Sequence, residues 1–246
     1  MRWLTLALAL LLAPCVFGGS RELVRISATS GDRFTGTTSE FTGEPLTMLA
    51  WIQADNLTIF EVFYQITDTG VGSDVFGLHY LGATGGDPIS CFADGVGTGS
   101  TQGGGFGASW QPNICLFTST TSREAFDTCT SAGTNTTDTV AYGSFEELNI
   151  GRGNGNSTNT NYADGFVSHF AVWEATLSLA ERGELCGGIP PIFIQPNACV
   201  GYWPLMESNA TDNAEDHSGS GFTLTQNGDP PASRNMPPIF WPAGGQ

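Results

Sequence analysis

The chain contains no lysine, and only 8 arginines offset 24 acidic residues, for a formal net charge of −16 over 246 residues. A surface of that sign repels phosphate backbones and anionic lipid, which disfavours nucleic acids and charged membrane surfaces as partners. Beyond the N-terminal stretch no apolar run reaches the roughly 20 residues of a bilayer-spanning helix. No cysteine or histidine pair has the close CxxC or CxxH spacing of a zinc site. No GxGxxG or GxxxxGK[ST] loop feeds a helix, so a phosphate cradle is excluded as well. Three histidines, His79, His169 and His217, are scattered outside metal or triad spacing. Of these His169 falls mid-strand and reads as a satisfied core or rim residue.

The chain is rich in the currency of β-structure: 33 Gly, 13 Pro, 16 Phe and 6 Trp, with no long helical period. Alternating or β-branched and aromatic runs predict strands at 23–28, 46–53, 60–67, 75–81, 89–93, 114–119, 124–129, 145–150, 166–174, 200–205 and 222–225. The Gly-rich stretch 95–107 and the Thr-rich stretch 130–139 read as loops, as hairpin excursions and not linkers. Asp164-Gly165 is a turn signal. After it, strict alternation puts Phe166, Ser168, Phe170 and Val172 on one strand face and Val167, His169, Ala171 and Trp173 on the other. Ser178 followed by Glu181 forms a capping box, and Gly187-Gly188 a stop, so a single short helix is expected over 177–185. The Pro-rich C-terminus has neither period and is expected to lie extended over the surface, clipped down by Ile239, Phe240 and Trp241.

Residues 1–19 read as a secretory signal peptide: Arg2, an apolar run over 4–13 too short to span a bilayer, and small residues near Gly18. A lipoprotein box at Cys15 fits poorly because Pro14 precedes it. The expected remainder, 20–246, is one domain, secreted or held at the cell surface. It keeps five cysteines, an odd number for an oxidising compartment, and several connectivities are open. Two pairings are candidates: Cys186 with Cys199, closing a Pro-rich loop, and Cys115 with Cys129, on the two arms of a hairpin centred near Thr121 and Ser122. Asn-x-Ser/Thr sequons at Asn56, Asn135, Asn156 and Asn209 mark potential glycosylation sites.

Several segments in order resemble the LamG-like, concanavalin A-like lectin/glucanase superfamily. They are Trp51 in TMLAWIQAD, SWQPNICLFTSTTSREAF, an IGR strand end, DGFVSHFAVW, the LSLAE helix and a Gly-Pro exit. Asn113 stands where many members carry His, and VGYWPL with its DHSGSGFTL continuation closes this chain where it opens many others. The resemblance implies an all-β fold, a two-sheet antiparallel jelly-roll sandwich with one short helix. Trp51, Phe170, Val172 and Trp203 are the expected core markers. Retaining glucanases of the superfamily present Glu-x-Asp-x-Glu on one strand, because alternation points residues i and i+2 the same way. This chain lacks that motif: Glu146 and Glu147 face opposite ways, and Glu215-Asp216 lies in a polar loop. The expectation is therefore a non-enzyme. Two function classes remain: a secreted carbohydrate-binding or adhesion module whose partner is a glycan or cell-surface polysaccharide, and a structural or interaction domain with a protein partner in an envelope, appendage or virion assembly. Calcium is the one cofactor the resemblance implies, with Asp32 and Asp216 as neighbouring ligands; no stretch has EF-hand spacing, so such a site would come from distant loops.

Overall fold

The structure is a computed structural model that describes residues 20–23, 25–27, 30–37, 41, 43–55, 58–67, 75–81, 88–94, 99–105, 109–136, 145–153, 161–207, 212–228, 230, 232–233 and 236–240. In chain order its strands are β1 (Ser20–Leu23), β2 (Arg25–Ser27), β3 (Ser30–Gly31), β4 (Arg33–Thr37), β5 (Leu46–Ala54), β6 (Phe60–Thr67), β7 (Val75–Leu81), β8 (Pro88–Asp94) and β9 (Gly99–Gly105). They continue with β10 (Gln111–Ser119), β11 (Ser122–Asp127), β12 (Thr130–Asn135), β13 (Glu147–Ile150), β14 (Gly165–Trp173), β15 (Cys199–Trp203), β16 (Thr225–Asn227) and β17 (Ala232–Ser233). Helix α1 (Leu179–Cys186) and a 3-10 turn (Pro191–Phe193) lie between β14 and β15. Among the described residues no helix is long and apolar enough to cross a membrane.

Two large antiparallel sheets result, with β2 and β3 forming a separate two-stranded ribbon. The first runs β12-β11-β10-β5-β14-β1-β17, and β15 also pairs with β14. The second runs β16-β4-β13-β6-β7-β8-β9. Strand β14 has two partners on one edge, β1 along 165–167 and β15 along 170–173; its faces are both apolar because one packs between the sheets and the other under the outer layer. Side chains from the two sheets meet in a shared core: Met48, Ile52, Phe117, Phe170, Val172 and Trp203 from the first, Tyr64, Ile66, Phe76, Leu78, Leu148 and Ile150 from the second. Ring pairs cross the gap, Tyr64 with Phe170 at 5.0 Å and Phe76 with Phe117 at 4.5 Å between centroids. The fold is thus the expected antiparallel β-sandwich with one short helix.

The first sheet carries a second apolar layer on its outer side. Leu49, Trp51, Ile114, Leu116, Phe126, Ala171 and Trp173 point outward there, and Leu177, Leu185 of α1 and Ile194 cover them. Trp51, 3% exposed, belongs to this layer, whereas Phe170, Val172 and Trp203 belong to the core between the sheets. The helix starts where its box places it: the Ser178 hydroxyl accepts from the Glu181 amide at 3.3 Å, and the Glu181 carboxylate accepts from the Ser178 amide at 2.7 Å. The C-terminal segment reaches the same layer. Ile239 packs against it and the Phe240 amide donates to the Gly188 carbonyl at 2.8 Å, while Trp241 lies outside the described residues.

Strict alternation along β14 is corrected by a bulge. The pairing with β5 shifts register between Ser168 and Ala171, and His169 takes a left-handed backbone with φ 50°. One extra residue reverses the phase. Val167 therefore joins Phe170 and Val172 in the inter-sheet core, and Phe166 turns outward toward Trp110, 6.4 Å between ring centroids. At the strand's start Gly165 has φ 143°, and a Cβ there would overlap the Gln53 carbonyl oxygen, so the Asp164-Gly165 turn admits only glycine. Strands β9 and β12 replace two expected loops. Their Gly, Ala and Asn content has little strand preference of its own, and the pairing comes from β8 and β11.

Both expected disulfides are corrected. Cys115 does not pair with Cys129: in the β10–β11 register it stands opposite Ala125, with its side chain between the sheets. There it meets Cys91 of β8 and forms a bridge across the sandwich, Cα atoms 5.5 Å apart. Cys129 lies past the end of β11 in a left-handed turn and bridges Cys186 at the end of α1. Cys186 therefore does not pair with Cys199, which remains a free, buried thiol with its Sγ 3.6 Å from the Gly201 carbonyl. Burial pushes the Cys199 thiol up to about 12, which leaves it unreactive as a nucleophile.

Candidate binding groove

The outer face of the second sheet is built differently from that of the first. Because side chains alternate, Phe34, Leu148, Ile150, Tyr64 and Ile66 turn into the core, and their neighbours turn out. The outward neighbours are polar. Register sets Thr225, Thr35, Asn149 and Gln65 in one row across four strands, and Thr37, Glu147 and Thr67 in the next. Toward the β16 edge this face opens into a groove of about 530 Å³. Its floor is Thr35 and Thr37 of β4, Glu147 of β13, and Thr225 and Asn227 of β16; Phe222 forms a wall.

The groove is held in place by hydrogen bonds. The Asn227 amide donates to the Thr35 hydroxyl at 2.9 Å and to the Thr225 carbonyl at 3.1 Å. Asn149 donates to Glu147 Oε1 at 2.7 Å and so fixes the carboxylate's direction. Asn149 is itself fully buried, and its Oδ1 has no hydrogen-bond partner among the described residues. The Phe222 carbonyl accepts from Trp203 Nε1 at 2.6 Å, and its half-buried ring lies 6.3 Å from that of Phe41. Farther along the face the polar side chains become buried, Gln65 at 3% and Thr67 at 2% exposed. His79 is there too, its ring tilted against that of Phe92 with centroids 3.3 Å apart, and burial pushes its imidazole well below the usual histidine range.

The two expected calcium ligands do separate structural work. Asp216 holds its own loop: Oδ1 accepts from the amides of Tyr202 at 3.0 Å and Ser218 at 2.8 Å. Its Oδ2 accepts from the Ser218 hydroxyl at 2.9 Å and the amides of Gly221 at 2.9 Å and Phe222 at 3.2 Å. Five donors fill the roughly four lone-pair sites of a carboxylate. Asp216 therefore does not fit a calcium ligand, since an ion would have to displace those donors. Asp32, 5% exposed, packs beneath Gly228 and beside Gly151. Gly228 has φ 88° and a Cβ there would overlap Asp32 Oδ1, so glycine is required at that position. Among the described residues no group of three or more His, Cys, Asp or Glu is placed to hold a metal ion.

His169 is buried and its Nδ1 lies 2.7 Å from the Tyr202 hydroxyl. Burial, reinforced by the neighbouring His217, pulls its imidazole down to about 3, so it is a neutral structural group. Of the sequons only Asn135 lies among the described residues, at the end of β12; Asn56, Asn156 and Asn209 lie outside them, as do residues 1–19. Of the groove residues only Glu147 was named from sequence, and there only as half of a rejected catalytic pair. The signal was present in RFTGT, where Arg33, Thr35 and Thr37 alternate with inward Phe34 and Gly36.

No family model matches the chain, and no curated protein sequence matches it either. Solved structures do. A carbohydrate-binding protein from Bacteroides ovatus, described as putative, superposes with a TM-score of 0.61 at 14% identity, over 86% of this chain and 58% of that one. A heptameric SAP-like pentraxin from Limulus polyphemus gives 0.55 at 8% identity, over 70% of this chain and 82% of that one. Domain 4 of an extracellular arabinanase from Geobacillus stearothermophilus, solved with arabinotriose, gives 0.51 at 9% identity, covering 69% and 82%. At these identities the likeness shows the fold alone: an antiparallel β-sandwich of two sheets. The chain spans little more than half the length of the Bacteroides protein it resembles.

Proposed function

We propose that this protein is a non-catalytic, LamG-like glycan-binding or adhesion module that works outside the cell, with the β16-β4-β13 groove as its binding site. The observation that carries the reading is the groove itself. An open trough lined by hydroxyls, an amide and an oriented carboxylate, with Phe222 at its side, is matched to a polyol. Sugars present hydroxyl edges to such groups and apolar C–H faces to aromatic rings. Glycoside hydrolysis needs two carboxyl groups flanking the bond. Among the described residues one acid, Glu147, lines the groove. The two disulfides accord with an oxidising compartment.

A glycan array followed by titration calorimetry tests this. The double substitution Thr35→Ala with Asn227→Ala should weaken binding of the array's best oligosaccharide at least about tenfold, roughly 1.4 kcal/mol, while the protein still melts cooperatively. An array with no bound glycan would sink the reading. The scaffold reading has one specific observation in its favour: Leu179 at 72%, Phe193 at 47% and Phe240 at 63% are exposed apolar residues on the outer layer of the first sheet. Stable self-association that Leu179→Glu abolishes would favour it over the glycan reading.

A further inference from the structure

We infer that the groove selects neutral glycans and rejects acidic ones, with Glu147 as the residue that sets this preference; the inference rests on the glycan-binding reading above. The lining described for the groove includes a carboxylate and no cation. The nearest arginine on β4, Arg33, stands two residues from Thr35, and its Nη1 donates to the Tyr162 hydroxyl at 3.2 Å. That guanidinium also lies 6.0 Å from the centre of the Tyr162 ring. Arg33 stands opposite Asn227 in the β4–β16 register, but its guanidinium is held on Tyr162 and is not among the groove's lining groups. Recognition of a sialic or uronic acid calls for the opposite arrangement, a cation or a fork of donors facing the ligand carboxylate.

Glu147 is well suited to a neutral ligand. An ionised carboxylate only accepts hydrogen bonds, and a sugar diol offers two O–H donors. Asn149, buried beneath, holds Oε1 in a fixed direction, so no side-chain freedom is lost on binding at that oxygen. An acidic sugar placed there would set its carboxylate against that of Glu147, the repulsion by which an interface rejects a wrong partner. The net charge of −16 acts in the same direction but without reference to the site. Substitution of the local charge separates the two effects.

The test uses matched probes on the whole protein: lactose against 3′-sialyllactose, and neutral xylo- and arabino-oligosaccharides against oligogalacturonates, each titrated with wild type, Glu147→Gln and Thr37→Lys. Thr37 is exposed and stands directly across from Glu147, so a lysine there places a cation in the trough without touching the core. Wild type should bind its neutral probe at least about tenfold more tightly than the acidic counterpart. Both substitutions should narrow that ratio, and 1 M salt should narrow it much less than they do if the effect is local. Acidic probes bound as tightly as neutral ones would overturn the inference and leave the glycan reading intact. A neutral preference unchanged in both variants would overturn the assignment to Glu147. Absence of binding to every probe, neutral and acidic, would overturn the glycan reading itself, and this inference with it.

Discussion

The two outward faces of this sandwich are made by the same strand geometry and treated in opposite ways. On the first sheet Trp51, Leu116, Phe126 and Trp173 point outward and are sealed by α1, the 3-10 turn and the C-terminal segment. On the second sheet the outward positions hold Thr35, Thr37, Glu147, Asn149 and Gln65, with an open groove at one edge. An antiparallel sheet with one solvated face reads as alternation, whereas a sheet covered on both sides reads as continuous apolar runs. The first sheet is covered on both faces; the second is covered by the core on one face and on the other buries Asn149, Gln65 and Thr67 while leaving its β16-β4-β13 edge open.

The largest test of this contrast is a matched pair of truncations. Trp173 is fully buried and its Nε1 donates to the Ile194 carbonyl at 2.7 Å, so Trp173→Ala should cost about 3–5 kcal/mol. Thr225→Ala, exposed on the groove side, should change stability by less than about 0.5 kcal/mol. Urea unfolding of both variants measures this, and similar costs for the two would erase the distinction between the faces. The Cys91–Cys115 bridge belongs to neither outward face, since it joins the two sheets through their common core. Replacing both cysteines by alanine should cost about 3 kcal/mol by loop closure alone. The expected signature is one cooperative transition at lower urea, with the groove and the helix layer melting together.

Asp216 stitches the loop that carries the groove's Phe222 to β15, whose other side faces the sealed layer. Asparagine can replace only part of its five accepted hydrogen bonds and none of the charge. Asp216→Asn should therefore cost about 2–3 kcal/mol. The loss should be equal in calcium and in EDTA, because the donors are protein amides and a hydroxyl. A loss seen only in calcium would restore the metal reading for this residue.

Much of this architecture was legible in the sequence, and the failures have physical causes. Strands β6 and β7 were readable to the residue because their aromatic and β-branched runs are long and both sides of each strand are paired. The capping box at Ser178 was readable because it is a local bond pattern. The phase of β14 was not, because one left-handed residue, His169, resets the alternation and nothing in SHF announces it. The disulfides failed for a related reason: proximity along a hairpin suggested Cys115 with Cys129, whereas the side chain of Cys115 faces the opposite sheet. The groove lay hidden because its members come from β4, β13 and β16, remote in sequence, and the short edge strands β4 and β16 have weak individual signals.

The smallest effect concerns acid, and it asks which face opens first. His169 on the sealed side titrates near 3 when folded, against an ordinary value of 6.5. The unfolded chain therefore binds a proton that the folded chain refuses, so this stability is fully present above pH 6.5 and is lost as pH falls toward 3. Between pH 7 and pH 5 the loss from this group is about 2 kcal/mol. Asp127 opposes it: burial raises its carboxyl to about 6, so the folded state gains relative stability as pH falls through that value. The difference between wild type and His169→Asn isolates the histidine, and asparagine tolerates the left-handed backbone at that position. The variant should lose less stability than wild type on going from pH 7 to pH 5. His79, half-buried on the outward face of the second sheet with its imidazole also held low, supplies the counterpart His79→Gln. Equal flattening in both variants would mean that acid opens the two faces together, whereas flattening confined to one identifies the face whose burial of a neutral histidine the fold depends on.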